Sequence, residues 1–303
     1  GKKILVINNG AYSSRAAEIC EYYGLPFINL KFPIDERPSL EQIEQILKEN
    51  QDIALVYITH NETGTGILNP IREIGALAHA YGAIFVVDTT STYAMRPINI
   101  KNDNIDFCMA SAQKGLMAMT GISFVVGKRT IIEQSKTYPK RSYYCNLYMQ
   151  YHYFEAHGEM HFTPPVQTVY AMRQAIKEYF AEGEQKKWER HTRVFEALHK
   201  GIERLGFQDM IKRDWQAGLV VTVKYPDDPN WSFSAIHDYC YKRGFTIYPG
   251  KINNTETFRL CALGAIDQSD IETFFEVFEA GLREMEVSLP VHYGLEEETD
   301  ERE

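Results

Sequence analysis

The chain has 303 residues, 44% of them apolar, which is enough for a large core and close to the length at which chains divide into two domains. A net charge of −9 argues against sequence-independent nucleic-acid binding, which needs clustered lysine and arginine to displace counterions. No apolar run is long enough to span a bilayer and no signal-peptide pattern opens the chain, so the expected compartment is the cytoplasm, with no membrane partner.

Lys3 to Ile7 reads as a buried strand, Ser14 to Tyr23 as a helix stopped by Gly24, and Phe27 to Leu30 as a short strand. Ser39 to Glu49 reads as a helix with Ser39 as N-cap and Gln42 in the capping-box position. A strand over 54–59, a helix over 70–81 opened by Pro70, and strands over 83–87, 107–110 and 122–126 follow. Strands alternating with helices predict an α/β fold with a mostly parallel sheet covered on both faces. Ligands of such sheets sit beyond the carboxyl ends of the strands. From Thr163 to Leu205 the pattern is helical with a break near Gly183. Then come a strand over 219–224, a helix over 233–243, strands over 245–248 and 257–261, and a helix over 271–285. The expected organisation is a large domain over 1–162, a helical connection over 163–205, a small α+β domain over 206–289 and an acidic tail over 290–303. Because Gly1 leads at once into a strand pattern, the N-terminal part of the large domain is expected to lie upstream of this sequence.

The cysteines Cys20, Cys108, Cys145, Cys240 and Cys261 form no Cys-x-x-Cys pair and have no histidine at ligand spacing. They read as reduced, buried thiols. His152, His157 and His161 share an aromatic-rich stretch and read as interface or pocket packing, not as a metal site.

Three features carry chemistry. Asp88 ends the apolar strand Ala83 to Val87, where ligands bind; by itself it serves equally as a helix cap or salt-bridge partner. Lys114, in Ser111-Ala112-Gln113-Lys114-Gly115, follows another apolar strand 26 residues later. A lone lysine there is ordinarily a solvated charge, but one confined between buried strands can form a Schiff base. An acid for a pyridinium nitrogen together with such a lysine is the core equipment of pyridoxal-phosphate chemistry. The third feature is the stretch His60 to Gly66, a Gly/Thr loop offering hydroxyl donors in the same layer.

Together, His60-x-Glu62-Thr63-x-Thr65-Gly66-x-Leu68-x-Pro70, Val87-Asp88 and Ser111-x-Gln113-Lys114 resemble the class V aminotransferases, which have fold type I of the pyridoxal 5′-phosphate (PLP) enzymes. Asn9-Gly10-Ala11-Tyr12, the run 146–168, Phe245 to Lys251 and Thr257-Phe258-Arg259 resemble the phosphonate branch of that class, the 2-aminoethylphosphonate:pyruvate transaminases. The resemblance extends from Gly1 to about Arg283.

What it implies is a PLP enzyme acting on a small amine and a 2-oxo acid. Lys114 is then the Schiff-base lysine, and Asp88 the partner of the ring nitrogen. Thr63 donates to the phenolic oxygen, Tyr12 stacks on the ring, and Thr90 packs behind it. Gln113 contacts the phosphate, and Thr163 is offered to a neighbouring subunit's phosphate, implying a homodimer with shared active sites. Arg259 clamps the substrate anion, with Lys251 a second contact from the Tyr-Pro-Gly-Lys turn. Three departures stand out. The family's glycine-rich phosphate loop precedes the strand that opens this chain and is not found here. Ser13-Ser14 and the segment 88–95 replace glycine-richer stretches. Gln113 stands where the phosphonate branch more often has Asn. The alternatives are an alanine–glyoxylate or serine–pyruvate aminotransferase and a partial chain without competent PLP binding; a cysteine desulfurase would need a reactive cysteine on a mobile loop ahead of the substrate arginine, whereas Cys261 follows Arg259 inside an apparent strand.

Overall fold

The computed structural model describes residues 2–250 and 256–294. The chain divides into two compact units, Gly1–Glu189 and Arg190–Glu303.

In the first unit, β1 (Lys3–Asn8) buries Leu5, Val6 and Ile7 in succession, so both of its faces are covered. That is why its sequence is a continuous apolar run and does not alternate. α1 (Ala11–Tyr22) returns the chain to β2 (Phe27–Lys31), and α2 (Leu40–Glu49) leads into β3 (Ile53–Thr59). Ser39 caps α2 by accepting from the Gln42 N–H at 3.2 Å, as its sequence predicts. A short hairpin of β4 (Asn61–Glu62) and β5 (Ile67–Leu68) precedes α3 (Ile71–Ala80), β6 (Ile84–Asp88) and β7 (Phe107–Ser111). β8 (Ser123–Gly127) completes the six-stranded sheet β2-β1-β3-β6-β7-β8. The pairings are parallel except β7 with β8. The expected α/β class is thus borne out.

Beyond the sheet lie α4 (Arg129–Gln134), α5 (Leu147–His157), α6 (Val166–Glu182) and α7 (Glu184–Arg204). Gly183, with φ of 85°, separates the last two, at the break its sequence signals. The two compact units meet in sequence within α7. α4 and α5 bury no side chain, and α6 buries only Ala175. Tyr143, Tyr144, Phe154 and Tyr170 are exposed on this stretch.

The second unit has β9 (Val220–Lys224), α8 (Phe233–Tyr241), β10 (Tyr248–Pro249), β11 (Thr257–Cys261) and α9 (Gln268–Glu284). Its sheet runs β10-β11-β9, antiparallel throughout. The strand expected over 245–248 is instead the pair Tyr248–Pro249. The Phe245 N–H is used by the Cys240 carbonyl at the end of α8, so its backbone cannot join the ladder. Its ring packs on Phe274. Residues 290–294, expected in the acidic tail, also pack here: Val291 is buried and its N–H donates to the Leu205 carbonyl. Three cysteines are buried as expected, whereas Cys145 is exposed and Cys261 half-buried.

Candidate active site

The carboxyl ends of β3, β6 and β7 gather the polar groups. Thr59 and Asp88 are paired neighbours across β3 and β6, and β7 continues past Ser111 into the turn that carries Lys114. Asp88 Oδ1 accepts from the Thr90 N–H at 2.8 Å, and the Tyr57 hydroxyl lies 3.4 Å from Oδ2. Burial, and then the Asp88 carboxylate, push the Tyr57 phenol well above its ordinary value, so it stays a donor. The Thr59 and Ser111 hydroxyls, on either side of Asp88, are buried with no hydrogen-bond partner among the described residues. Unpaired buried hydroxyls flanking a carboxylate suit a polar ligand.

The Lys114 turn is held from several directions. The Met117 N–H bonds the Lys114 carbonyl at 2.9 Å, and the Ala118 N–H bonds that of Ala112 at 3.0 Å. A Cβ on Gly115 would lie 2.0 Å from the Tyr93 carbonyl oxygen, so only glycine lets the turn approach the segment that follows Asp88. The Lys187 ammonium, fully buried on α7, donates to the Gly115 carbonyl.

The stretch 60–66 is a hairpin, not the plain Gly/Thr loop its composition suggests. The Thr65 and Gly66 N–H groups both bond the Glu62 carbonyl, which shapes the turn that carries buried Thr63. The Glu62 carboxylate reaches across to α1, accepting from the Tyr12 N–H at 3.1 Å, the Ser13 N–H at 2.7 Å and the Ser13 hydroxyl at 2.6 Å. His60 Nδ1 lies 2.9 Å from the Thr92 hydroxyl, and Asn61 bonds Ser91, which ties the hairpin to the segment after Asp88. Burial, and then the Arg96 guanidinium, push the His60 imidazole down to about 3, so it is neutral. Asn69 joins the Asn9 amide, through bonds of 2.8 and 3.1 Å, to the Thr59 carbonyl.

The first unit therefore brings Tyr12, Thr63, Asp88, Thr90 and Lys114 onto connected segments at one end of its sheet. Gln113 is exposed on the Lys114 turn, and Thr163 is exposed between α5 and α6. Arg259 sits on β11 of the second unit, where its Nε donates to the Pro249 carbonyl at 3.1 Å. Lys251 lies outside the described residues. His152 stacks on Tyr148, and His157 and His161 pack on Tyr153. Among the described residues no His, Cys, Asp or Glu side chains are grouped to hold a metal ion, and no helix is long and apolar enough to cross a membrane. Sequence reasoning missed Glu62, Tyr57 and Lys187 as supports of the site. Glu62 at least lay inside a motif; nothing local marks the other two.

The family model for aminotransferase class-V matches residues 1–245. The chain belongs to that family. This class-V aminotransferase is 34% identical over 288 residues to the 2-aminoethylphosphonate–pyruvate transaminase 1 of Cupriavidus pinatubonensis, covering 95% of this chain and 76% of that one. It is 33% identical to a bifunctional phosphonoacetaldehyde hydrolase/aminoethylphosphonate transaminase of Clostridioides difficile, covering 91% of this chain and 44% of the relative. Its fold is that of the alanine–glyoxylate aminotransferase of a Nostoc species, with a TM-score of 0.86, 23% identity, and coverage of 93% of this chain and 76% of that structure. The enzyme is a PLP-dependent aminotransferase. The residues present fit that cofactor: a fixed carboxylate, a lysine on a restrained turn, and unpaired buried hydroxyls at adjacent strand ends.

Proposed function

We propose that this enzyme transfers the amino group of 2-aminoethylphosphonate to pyruvate, giving phosphonoacetaldehyde and L-alanine. The observation that carries the reading is the agreement among relatives. Proteins named 2-aminoethylphosphonate–pyruvate transaminase align at 32–34% identity over 91–95% of the chain.

Bound PLP supplies an electron sink for the carbon next to the transferred nitrogen. Lys114 would hold the cofactor covalently and, once released from it, would move the proton at that carbon, as base and then as acid. Asp88, oriented by the Thr90 N–H, would face the ring nitrogen and keep it protonated. Tyr12 would stack on the ring, Thr90 would pack behind it, Thr63 would donate to the phenolic oxygen, and Gln113 would contact the phosphate. Arg259 binds the phosphonate, for which a guanidinium fork is well matched. Lys251 is its expected second contact. The exposed aromatic stretch of α5 and α6, with Thr163 between them, suits a second copy of the chain, with Thr163 serving the neighbouring subunit's phosphate. The buried thiols Cys20, Cys108 and Cys240 fit a reducing, cytoplasmic setting.

The test is alanine formation from pyruvate with 2-aminoethylphosphonate, serine or taurine as donor. The phosphonate should give the highest kcat/KM. If serine exceeded it tenfold, the serine–pyruvate alternative would replace this reading.

A further inference from the structure

We propose that Glu62 is a positioning residue of the cofactor site, setting Tyr12 and Thr63 relative to each other. The inference rests on the reading that these two side chains face PLP.

Glu62 is 0% exposed, and among the described residues no ion pair reaches it. A buried carboxylate in that situation is costly unless hydrogen bonds satisfy it. Its three donors all come from Tyr12 and Ser13, in the first turn of α1. Those N–H groups have no intrahelical acceptor, and the positive end of the helix dipole favours an anion there. The residue at the N-cap position itself, Gly10, offers no side-chain cap. The cap is therefore supplied from 50 residues away.

Two further observations assign the carboxylate to that place. A Cβ on Gly10 would lie 2.6 Å from both the Glu62 carboxyl carbon and Oε2, so glycine is what admits the carboxylate. At its other end, the Glu62 carbonyl accepts from the Thr65 N–H at 3.1 Å, the Gly66 N–H at 2.7 Å and the Thr65 hydroxyl at 3.2 Å. These bonds close the turn that contains Thr63. One residue thus holds a ring-stacking side chain through its carboxylate and a ring-oxygen donor through its carbonyl. Glu62 touches no reacting atom; it acts through Tyr12 and Thr63.

The experiment compares wild type with Glu62→Gln, Gly10→Ala, Ser13→Ala and the Gly10→Ala/Glu62→Gln double variant. Hydrogen exchange is read at residues 10–15, and PLP affinity by absorbance and visible circular dichroism. In Glu62→Gln an amide NH₂ faces a backbone N–H. Exchange at Tyr12 and Ser13 should rise about five- to thirtyfold, as for a lost cap. The PLP Kd should rise by a similar factor, with weakened dichroism and unchanged exchange in the second unit. Gly10→Ala displaces the same carboxylate, so the double variant should bind PLP no worse than the weaker single variant. Ser13→Ala, which removes one donor and disturbs folding least, should give a smaller shift of the same sign. Faster exchange with unchanged Kd and dichroism would make Glu62 a structural cap only and overturn the proposal. So would unchanged exchange. Wild type that takes up no PLP would overturn the site reading and this inference together. Wild-type binding matched by Glu62→Gln would overturn this inference alone.

Discussion

Between Asn8 and Thr92 the first unit buries Asn8, Asn9, Ser13, Thr59, His60, Asn61, Glu62, Thr63, Thr65, Asn69, Thr89, Ser91 and Thr92. The second unit is centred on Phe207, Phe258, Phe274, Phe275 and Phe278, with ring centroids 5.1–6.3 Å apart in the packed pairs. Among its described residues the buried polar side chains are His191, His199, Gln216, Thr222 and Thr257. The aromatic cluster is what stability alone asks for: large apolar area, edge-to-face contacts and no polar atom to satisfy. The polar layer is different, because each of its groups costs about 1–3 kcal/mol if its partner is lost. Such a layer lies at the carboxyl ends of the strands, where ligands of open parallel sheets bind. The two regions should therefore fail differently when altered.

The sharpest separation comes from Lys114→Ala, which should lower alanine formation by about 10³-fold or more, the upper range for a lost general acid–base. The denaturant midpoint should move little, since half-buried Lys114 is not part of the apolar core. Borohydride labelling of another lysine in wild type would dislodge Lys114 from its role. The converse case is Phe258→Ala, at the centre of the aromatic cluster. It should lower the unfolding free energy by about 3–5 kcal/mol. A urea titration that detects under about 1 kcal/mol would show that the cluster is not the stabilising core assumed here.

His60 brings stability and site together. Its folded value is about 3 against an ordinary 6.5, so between these values the unfolded chain binds the extra proton. Stability from the neutral imidazole is then fully present above about 6.5, declines as the pH falls through that window, and levels off below about 3. At about 1.4 kcal/mol per pH unit, moving from pH 6 to pH 4 should cost roughly 2–3 kcal/mol. His60→Gln should flatten that slope. Identical slopes for wild type and variant in denaturant titrations would mean that His60 is charged in the fold.

The smallest of these effects belongs to Arg259, the proposed contact for the phosphonate. Arg259→Ala should reduce kcat/KM for the phosphonate about 30-fold, from roughly 2 kcal/mol of lost charged contact. The PLP spectrum should be unchanged. A variant with wild-type kcat/KM would remove Arg259 from substrate binding.

Much of the layout could be read before any coordinates. Apolar runs at 3–7 and 54–59 lie within one residue of the strands at 3–8 and 53–59, and Ser39 and Gly183 marked helix boundaries where the structure has them. Three misses have a common physical origin. α1 begins at Ala11, ahead of the expected Ser14, because its first turn is capped by Glu62 and not by a neighbour. The 60–66 stretch folds as a hairpin because the Glu62 carbonyl collects the turn's donors. Phe245 left its expected strand because Cys240 claims its N–H.

By itself, the sequence determined what depends on period, local chemistry and motif: the α/β class, the family, the cofactor, and the placement of Asp88 and Lys114 after apolar strands. Those features are encoded within a few residues of where they act. Only the tertiary structure decided which groups hold the site in place. Glu62 meets Ser13 across 49 residues, Asn69 meets Asn9 across 60, and Lys187 meets Gly115 across 72. No local pattern records these partners, because a buried polar group chooses whichever donor or acceptor the folded chain brings within reach.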